Sequence, residues 1–539
     1  MKPVRIAILG GGTAGWMAAN LFAHAWPRAR ITVIESPEIG IIGVGEGSTP
    51  QLKAFFDRLG IAERDWMPAC NATYKNGIGF HGWSARAGAE SYFHPFPTMI
   101  DVHTADAFFN HSAARRRGMA AEAHPDRFNL PARLAAEQRG PIPGDSFPFA
   151  VSYGYHFDAY LVGAFLREHA VARGVIHLPQ RVREVRVAPD GAVQALMTED
   201  GAAVEADLFV DASGFASVIA QTALGVPFRS FADNLFNDSA VVMPTPRNRE
   251  PINAHTKATA LSAGWCWDIP LTNRTGNGYV YASRYLSPDA AEGELRQHLG
   301  VGDDAPAARH LRMKVGRIEK VWTANCLAVG LSQGFIEPLE ATALHVVQAT
   351  VEGFINAWQS GGFTPRHRDR FNASIAARFE GIRDYIVCHY RANQRDDTDY
   401  WRDNATNPHI SMSLADVLAC WRSGGDLVAE IERQGIATYY STMSWHCLLS
   451  GYGCYPPDHA LHAAQGGERH GANRRLSRAV RHQFCPAPCA TRIACPLIKE
   501  TSWPSLPMHQ PNLRVRESTR PICNCSCSRC SSSLAGSPA

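Results

Sequence analysis

The most constraining feature lies within the first 35 residues. Residues 4–9 form a continuous apolar run that meets Gly10, Gly11 and Gly12, followed by Thr13, Ala14 and Gly15. Residues 16–25 have the Ala, Leu, Phe and Met content of a helix halted before Pro27, and residues 31–34 are a second apolar run closed by Glu35. Short apolar runs bounded by glycine read as buried strands, and a proline ends a helix. Strand, glycine turn, helix, strand and terminal acid is the order that holds a dinucleotide. Gly10 makes the tight turn, Gly12 admits the pyrophosphate and Gly15 allows close helix packing. Thr13 and Ala14 open the helix, whose free N–H groups and positive dipole end face phosphate. Glu35 accepts hydrogen bonds from a ribose.

A second segment names the dinucleotide. Residues 206–215 read ADLFVDASGF, an apolar strand ending in Asp211, Ala212, Ser213 and Gly214. This resembles the second fingerprint of FAD-dependent monooxygenases. The resemblance implies FAD in place of NAD, an adenine contact near Val182 from a strand pair around residues 175–187, and a return of the chain to the first unit. One complete dinucleotide fingerprint is present. The glycines of GVGEGSTP, residues 43–50, are not followed by a helix-forming run, and with no nicotinamide site in view the flavin must be reduced by a separate protein. The expected architecture is α/β: an FAD-binding Rossmann-like domain of the glutathione-reductase/monooxygenase type over residues 1–349, with a helical cap over 350–457.

Charge and cysteine set the last part of the chain apart. Residues 466–539 carry eleven Lys and Arg against three Asp and Glu, whereas the rest of the chain is mildly acidic. An acidic body gives no basic face for nucleic acid. Seven of the 14 cysteines lie between Cys485 and Cys530, and the others are scattered singly, which suggests a reducing compartment. No run of eighteen apolar residues exists to span a membrane and the apolar opening is too short for a secretory signal, so a cytoplasmic protein is expected. The spacing of Cys523, Cys525, Cys527 and Cys530 is not that of a common structural zinc site, and no metal is expected. Residues 458–539 read as a disordered basic tail.

Residues 264–270, GWCWDIP, place Trp265 and Trp267 on either side of Cys266 before Ile269 and Pro270. This resembles the WxWxIP signature of flavin-dependent halogenases of the tryptophan halogenase type. GVGEGSTP resembles that family's flavin-linking strap, YHFDAY at 155–160 its helix entry, and NCLAVGLSQGFIEPLEATALH at 325–345 its flavin-proximal segment. The resemblance spans residues 4 to about 457. It implies that Trp265 and Trp267 form a wall between flavin and substrate, that Leu331 and Leu344 contact the flavin, and that reduced FAD, O2 and chloride or bromide generate hypohalous acid.

By the same resemblance Lys75, within ATYKNGIGFHGW, faces the substrate at the end of an internal channel. It either hydrogen-bonds hypohalous acid or forms a haloamine. Glu340 in EPLEATALH matches the family's essential glutamate, which orients the oxidant or takes up the proton of a cationic ring intermediate, with Glu337 as competitor. Tryptophan-specific members read Glu-Ser-Thr-Gly where this chain has Glu340, Ala341, Thr342 and Ala343. Backbone amides of Thr342 and Ala343 are the expected halide contacts, and the methyl of Ala343 intrudes there. His94 and Phe96 fall where relatives sandwich an aromatic ring. The expected substrate is an electron-rich aromatic, an indole, a tryptophan-like compound or a phenol; residues 444–456 lack the acidic and paired-tyrosine pattern that clamps an amino acid's charged groups, which favours an indole or a phenol without the zwitterion. An aromatic hydroxylase and a non-catalytic flavin-binding protein are the competing readings.

Overall fold

The alternation read from the first 35 residues is present in the computed structural model, which describes residues 3–40, 45–247, 251–302, 305–457 and 484–486. Arg5–Leu9 lies at the centre of a mostly parallel sheet, flanked by Arg30–Ile34 on one side and Leu208–Asp211 on the other. Ile176–Leu178 extends it beyond Arg30–Ile34, and Cys326–Ala328 extends it beyond Leu208–Asp211. Side chains along these strands are buried on both faces, as a parallel sheet covered by helices requires. The first helix, Thr13–Ala25, packs between the helices Ala159–Val171 and Ala343–Ser360. This is the Rossmann-type arrangement, and the return of the chain at 206–215 falls on the central strand's neighbour.

One expectation is corrected here. The runs around residues 175–187 do not pair with each other. Ile176–Leu178 joins the parallel sheet, while Val182–Val187 starts a separate antiparallel sheet with Val193–Thr198 and Ala203–Glu205, and Val182 is opposite Thr198. The turn between the two runs redirects the chain from one sheet to the other.

A second, larger sheet carries the substrate side. Its order is Arg309–Arg312, Ser239–Val242, Arg274–Tyr281, Gly264–Pro270, Thr256–Leu261, Gly77–His81, Ser91–Pro95. The tryptophan signature is thus a central strand, paired on both sides. Trp267 lies flat over Gly278, where any side chain would collide with the indole. The helices Arg368–Ala392, Met412–Arg422 and Thr442–Gly451 follow where the helical cap is expected. They share one continuous hydrophobic core with the parallel sheet, so the cap has no core of its own. The basic tail lies outside the described residues except for Phe484–Pro486. Those three residues form a short strand antiparallel to Arg139–Pro143.

Candidate functional site

The glycine turn separates into structural and open positions. Gly10 has φ 113° and a Cβ there would lie 2.2 Å from the Ala212 carbonyl oxygen; one on Gly15 would lie 2.0 Å from that of Gly10. These two glycines let the backbones meet. Gly12 differs: it caps the first helix at φ −70°, and a Cβ there would touch nothing within 4 Å. The space beside Gly12 is open to a ligand at a helix N-terminus, and this cradle fits a dinucleotide phosphate. Ala14 touches the space over Gly330, Thr13 donates to the Ala159 carbonyl, and Glu35 folds over Gly11 with its carboxylate 3.0 Å from His177 Nε2. Leu331 and Leu344 are half-buried beside this region. Asp211 is fully buried and its carboxylate is used by the protein. It accepts from the amides of Ser213, Ile219 and Ala220 and from the hydroxyls of Ser213 and Ser332, locking three loops together. In these contacts it shapes the turn that follows the strand Leu208–Asp211.

Lys75 ends the strand Thr73–Lys75 and is 0% exposed. Among the described residues its Nζ has no hydrogen-bond partner, and it lies 5.4 Å from the centroid of the Phe96 ring. Removal from water lowers its pKa to about 7, an effect that the nearby Glu340 carboxylate partly offsets. A Cβ on Gly47 would lie 3.0 Å from this Nζ, 3.4 Å from Thr256 Oγ1 and 3.6 Å from His156 Cδ2. Gly47 and the neighbouring Glu46 belong to the strap, which pairs with the strand Gly154–Phe157. His156 is held neutral by burial and by Lys75. The Thr73 hydroxyl donates to the Pro270 carbonyl, so its oxygen accepts from His156 Nδ1–H, and His156 Nε2 accepts from the Thr256 hydroxyl. The histidine next to the lysine therefore adds no second charge.

Glu340 is treated in the opposite way. It is buried, yet His94 Nδ1 lies 2.9 Å from both its oxygens and His389 Nε2 lies 3.0 Å from Oε1. Burial alone would raise its pKa, but the two histidines outweigh burial and hold it at about 2. An ionised carboxylate only accepts, so both facing ring nitrogens carry protons. Burial keeps His389 neutral, and its Nδ1 accepts from the Tyr452 hydroxyl at 2.8 Å. His94, expected only as a stacking ring, is thereby a hydrogen-bonding partner of Glu340. Phe96 faces Lys75.

Trp265 and Trp267 are both buried, with ring centroids 6.1 Å apart. Trp265 Nε1 donates to Glu337 Oε2 at 3.4 Å, and Asn237 Nδ2 donates to the same oxygen at 2.7 Å. Glu337 is thus tied to the wall, which distinguishes it from Glu340. Ala341 follows Glu340 at φ 55°, a left-handed conformation that turns the chain into the helix Ala343–Ser360. Thr342 caps that helix, and Ala343 is exposed at an ordinary backbone angle. The backbone therefore does not require glycine at 343.

His389, Tyr452, His156 and Thr256 are functional neighbours that sequence reasoning does not single out. The one local signal is a histidine inside the buried run 385–390.

The glycine cradle, the paired tryptophans and the buried lysine and glutamate fit a flavin-dependent halogenase. The chain belongs to the tryptophan halogenase family, whose profile it matches over residues 5–467. It is 38% identical over 480 residues to the 7-chloro-L-tryptophan 6-halogenase KtzR of Kutzneria sp. (strain 744), covering 83% of this chain and 90% of that one. The crystal structure of the tryptophan 6-halogenase SttH from Streptomyces toxytricini aligns with TM-score 0.78 and 33% identity, over 90% of this chain and 98% of that one. BrvH, a flavin-dependent halogenase from Brevundimonas sp. BAL3, aligns with TM-score 0.74 and 32% identity, over 89% and 96%. Among the described residues no helix is long and apolar enough to cross a membrane.

Proposed function

We propose that this enzyme halogenates a small electron-rich aromatic, an indole or a phenol, at a site formed by Lys75 and Glu340. The observation that carries this reading is the buried Lys75 ammonium without a protein partner, in a pocket that also feels the Glu340 carboxylate. A buried charge left unpaired is costly, and it persists where a ligand completes it. FAD would be held by the turn at Gly10, Gly12, Thr13, Ala14 and Gly15, and by Glu35, with Val182, Leu331 and Leu344 nearby. When reduced by a separate flavin reductase, it supplies with O2 and chloride or bromide the hypohalous acid that the site uses. Trp265 and Trp267 exclude the aromatic from the flavin, so direct ring hydroxylation is disfavoured. The amides of Thr342 and Ala343 face the halide.

Lys75 near pH 7 is populated both as ammonium and as amine. As ammonium it donates to the oxygen of hypohalous acid and protonates the departing hydroxide as the carbon–halogen bond forms. As amine it takes the halogen itself, the O–halogen bond breaking with release of hydroxide, and the resulting haloammonium passes the halogen to the ring carbon as its N–halogen bond breaks and the amine is regenerated. In either case the ring becomes a cation with one proton too many. Glu340 stabilises that charge and accepts the proton; although it is a weak base, the cation is a far stronger acid. His94 and His389 fix the carboxylate's orientation. Tyr92, Tyr385, Tyr440 and Tyr452 all lie close enough to Glu340 for its charge to raise their pKa values, and they give the pocket an aromatic rather than an ionic lining. This supports an uncharged ring in place of an amino-acid zwitterion.

The test is incubation with FAD, a flavin reductase, NADH, O2 and chloride or bromide against indoles, phenols and tryptophan, read by mass spectrometry. Halogenated arene is expected, and oxygenated product without halogen would overturn the reading. Gly12→Val checks the cofactor site: with no protein atom near that Cβ, the variant should melt like the wild type yet lose FAD binding.

A further inference from the structure

We infer that a cavity at the ends of three helices, lined by Arg116, Arg391 and Arg422, is a binding site for a phosphate-class oxyanion. The cavity encloses about 310 Å³ and is also lined by Trp421, Gln394 and Tyr455. Arg116 is the last residue of Val102–Arg116, Arg422 is the last of Met412–Arg422, and Arg391 is the penultimate residue of Arg368–Ala392. A helix C-terminus favours a cation, which accounts for arginine at each position. It does not account for donors left unused. Arg116 is 8% exposed and its Nε has no partner, and neither Nε nor Nη1 of Arg391 has one. Among the described residues, the only other buried Lys or Arg nitrogen without a partner belongs to Lys75, in the substrate site.

Around the cavity the cations are only weakly offset: among the described residues Asp426 is the carboxylate whose charge reaches Arg116, and its influence there is the smallest of those acting on that residue. Among the described residues none of the three guanidiniums forms an ion pair with a carboxylate. Arg116 gives one N–H to the Gly425 carbonyl and stacks on Trp421 at 4.6 Å, which orients it and leaves its Nε unused. Desolvation, and for Arg391 the repulsion from Arg422, disfavour the charged forms. An oxyanion reverses both penalties by accepting the idle N–H groups and pairing the charges. Guanidiniums arriving from three helices suit a tetrahedral dianion with several acceptor oxygens better than a planar carboxylate, which one fork satisfies. The volume exceeds that of a free phosphate ion, which leaves space for a substituent on the anion.

The test is calorimetric titration of the full-length, FAD-saturated protein with inorganic phosphate, at ionic strength held constant with potassium chloride. Saturating FAD occupies the phosphate cradle at the glycine turn. Should that cradle remain empty, phosphate bound there would be indifferent to the arginine variants. One saturable site is expected, weakened at least tenfold in R391Q and in R422Q and less in R391K, which keeps the charge and loses the fork. R422Q changes an exposed side chain, so it guards against a folding failure in R391Q, and a melting curve accompanies each variant. Malonate is the carboxylate arm and should bind more weakly than phosphate. Absence of a saturable site, affinity unchanged in R391Q and R422Q, or malonate binding tighter than phosphate would each overturn the assignment.

Discussion

Lys75 and Glu340 are both buried, close enough for the carboxylate's charge to act on the lysine, and the protein treats them in opposite ways. The glutamate is given two histidine donors and stays an anion down to about pH 2, while the lysine is given none and titrates at about 7. His156, close enough to feel the lysine's charge, is kept neutral by burial and by Lys75 itself, and two threonine hydroxyls meet its ring nitrogens. Under the proposed function, the protein has paired the group that would hold a fixed charge and left unpaired the group that would exchange a proton or a halogen. A carboxylate facing a developing cation works best when it is fixed in place beforehand. An acid–base group works best with its pKa near the working pH.

The largest expected effect comes from removing the unpaired partner. Lys75→Met should lower the ratio of halogenated product to flavin consumed by about 10²–10⁴-fold, because the positioned proton donor is gone. Flavin oxidation and release of free oxidant should continue, and single-turnover quenching with product and oxidant both quantified measures this. The same variant tests the burial penalty. The unfolded lysine keeps its proton to about pH 10.5 and the folded one loses it above about 7, so raising pH between those values stabilises the wild type. Lys75→Met should thus melt higher than wild type at pH 7, by about 5 °C, with the gap closing towards pH 10. A wild-type product ratio would mean that the lysine plays no part in transfer.

Glu340→Gln should uncouple the reaction comparably, by about 10²-fold or more, since a neutral amide neither offsets the ring cation nor takes its proton. In the wild type, the stability that this carboxylate contributes is complete above its unfolded pKa of about 4.5 and is lost as pH falls towards 2. His389 is the sharper probe, because it acts through Glu340. In His389→Leu the carboxylate loses one of its two donors, its pKa rises, and the acid limb of the halogenation rate should move to higher pH. His389→Gln, whose amide nitrogen reaches the position of the imidazole Nε2, should restore the limb. Equal profiles for the two variants would reduce His389 to packing.

The two ends of the pocket also differ in how far the sequence reveals them. Gly10 to Gly15, Trp265 with Trp267, and the segment around Glu340 are local patterns, because a turn, a strand or a helix entry is determined by neighbours along the chain. The partners of Glu340 are not local: His94 lies 246 residues before it and His389 lies 49 residues after it. They meet only because the strand Ser91–Pro95 and the helix Arg368–Ala392 pack on the same core. Asp211 shows the reverse case. Its position at the end of an apolar strand suggests a ligand contact, yet the buried amides around it claim every direction of the carboxylate. Pattern locates such an acid, and only tertiary structure shows whether protein or ligand satisfies it.

Glu337 probes the pairing from outside the pocket. It is tied to the wall through Trp265 and Asn237, and Glu337→Gln retains an acceptor oxygen for both donors. The loss in coupled turnover should stay below about 10-fold, the scale of one weakened buried hydrogen bond. A loss as large as that of Glu340→Gln would assign the proton step to the wrong carboxylate.

The smallest effect concerns the backbone that aims Glu340. Ala341 occupies the left-handed region at φ 55°, where a Cβ costs about 1 kcal/mol, while Ala343 sits at an ordinary helical angle. The strain falls on the residue immediately after Glu340 and not on the one that departs from the family's glycine. Ala341→Gly relieves that strain but frees the unfolded chain, so the two contributions oppose each other. Net stability should rise by under about 1 kcal/mol, measured by denaturant melting, and the product ratio should change by less than about twofold, because His94 and His389 still hold the carboxylate from both sides. A steep fall in that ratio with unchanged stability would show that a stiff backbone at 341, and not the histidine pair, aims Glu340, and the contrast between a held glutamate and a free lysine would then rest on main-chain geometry instead of on side-chain pairing.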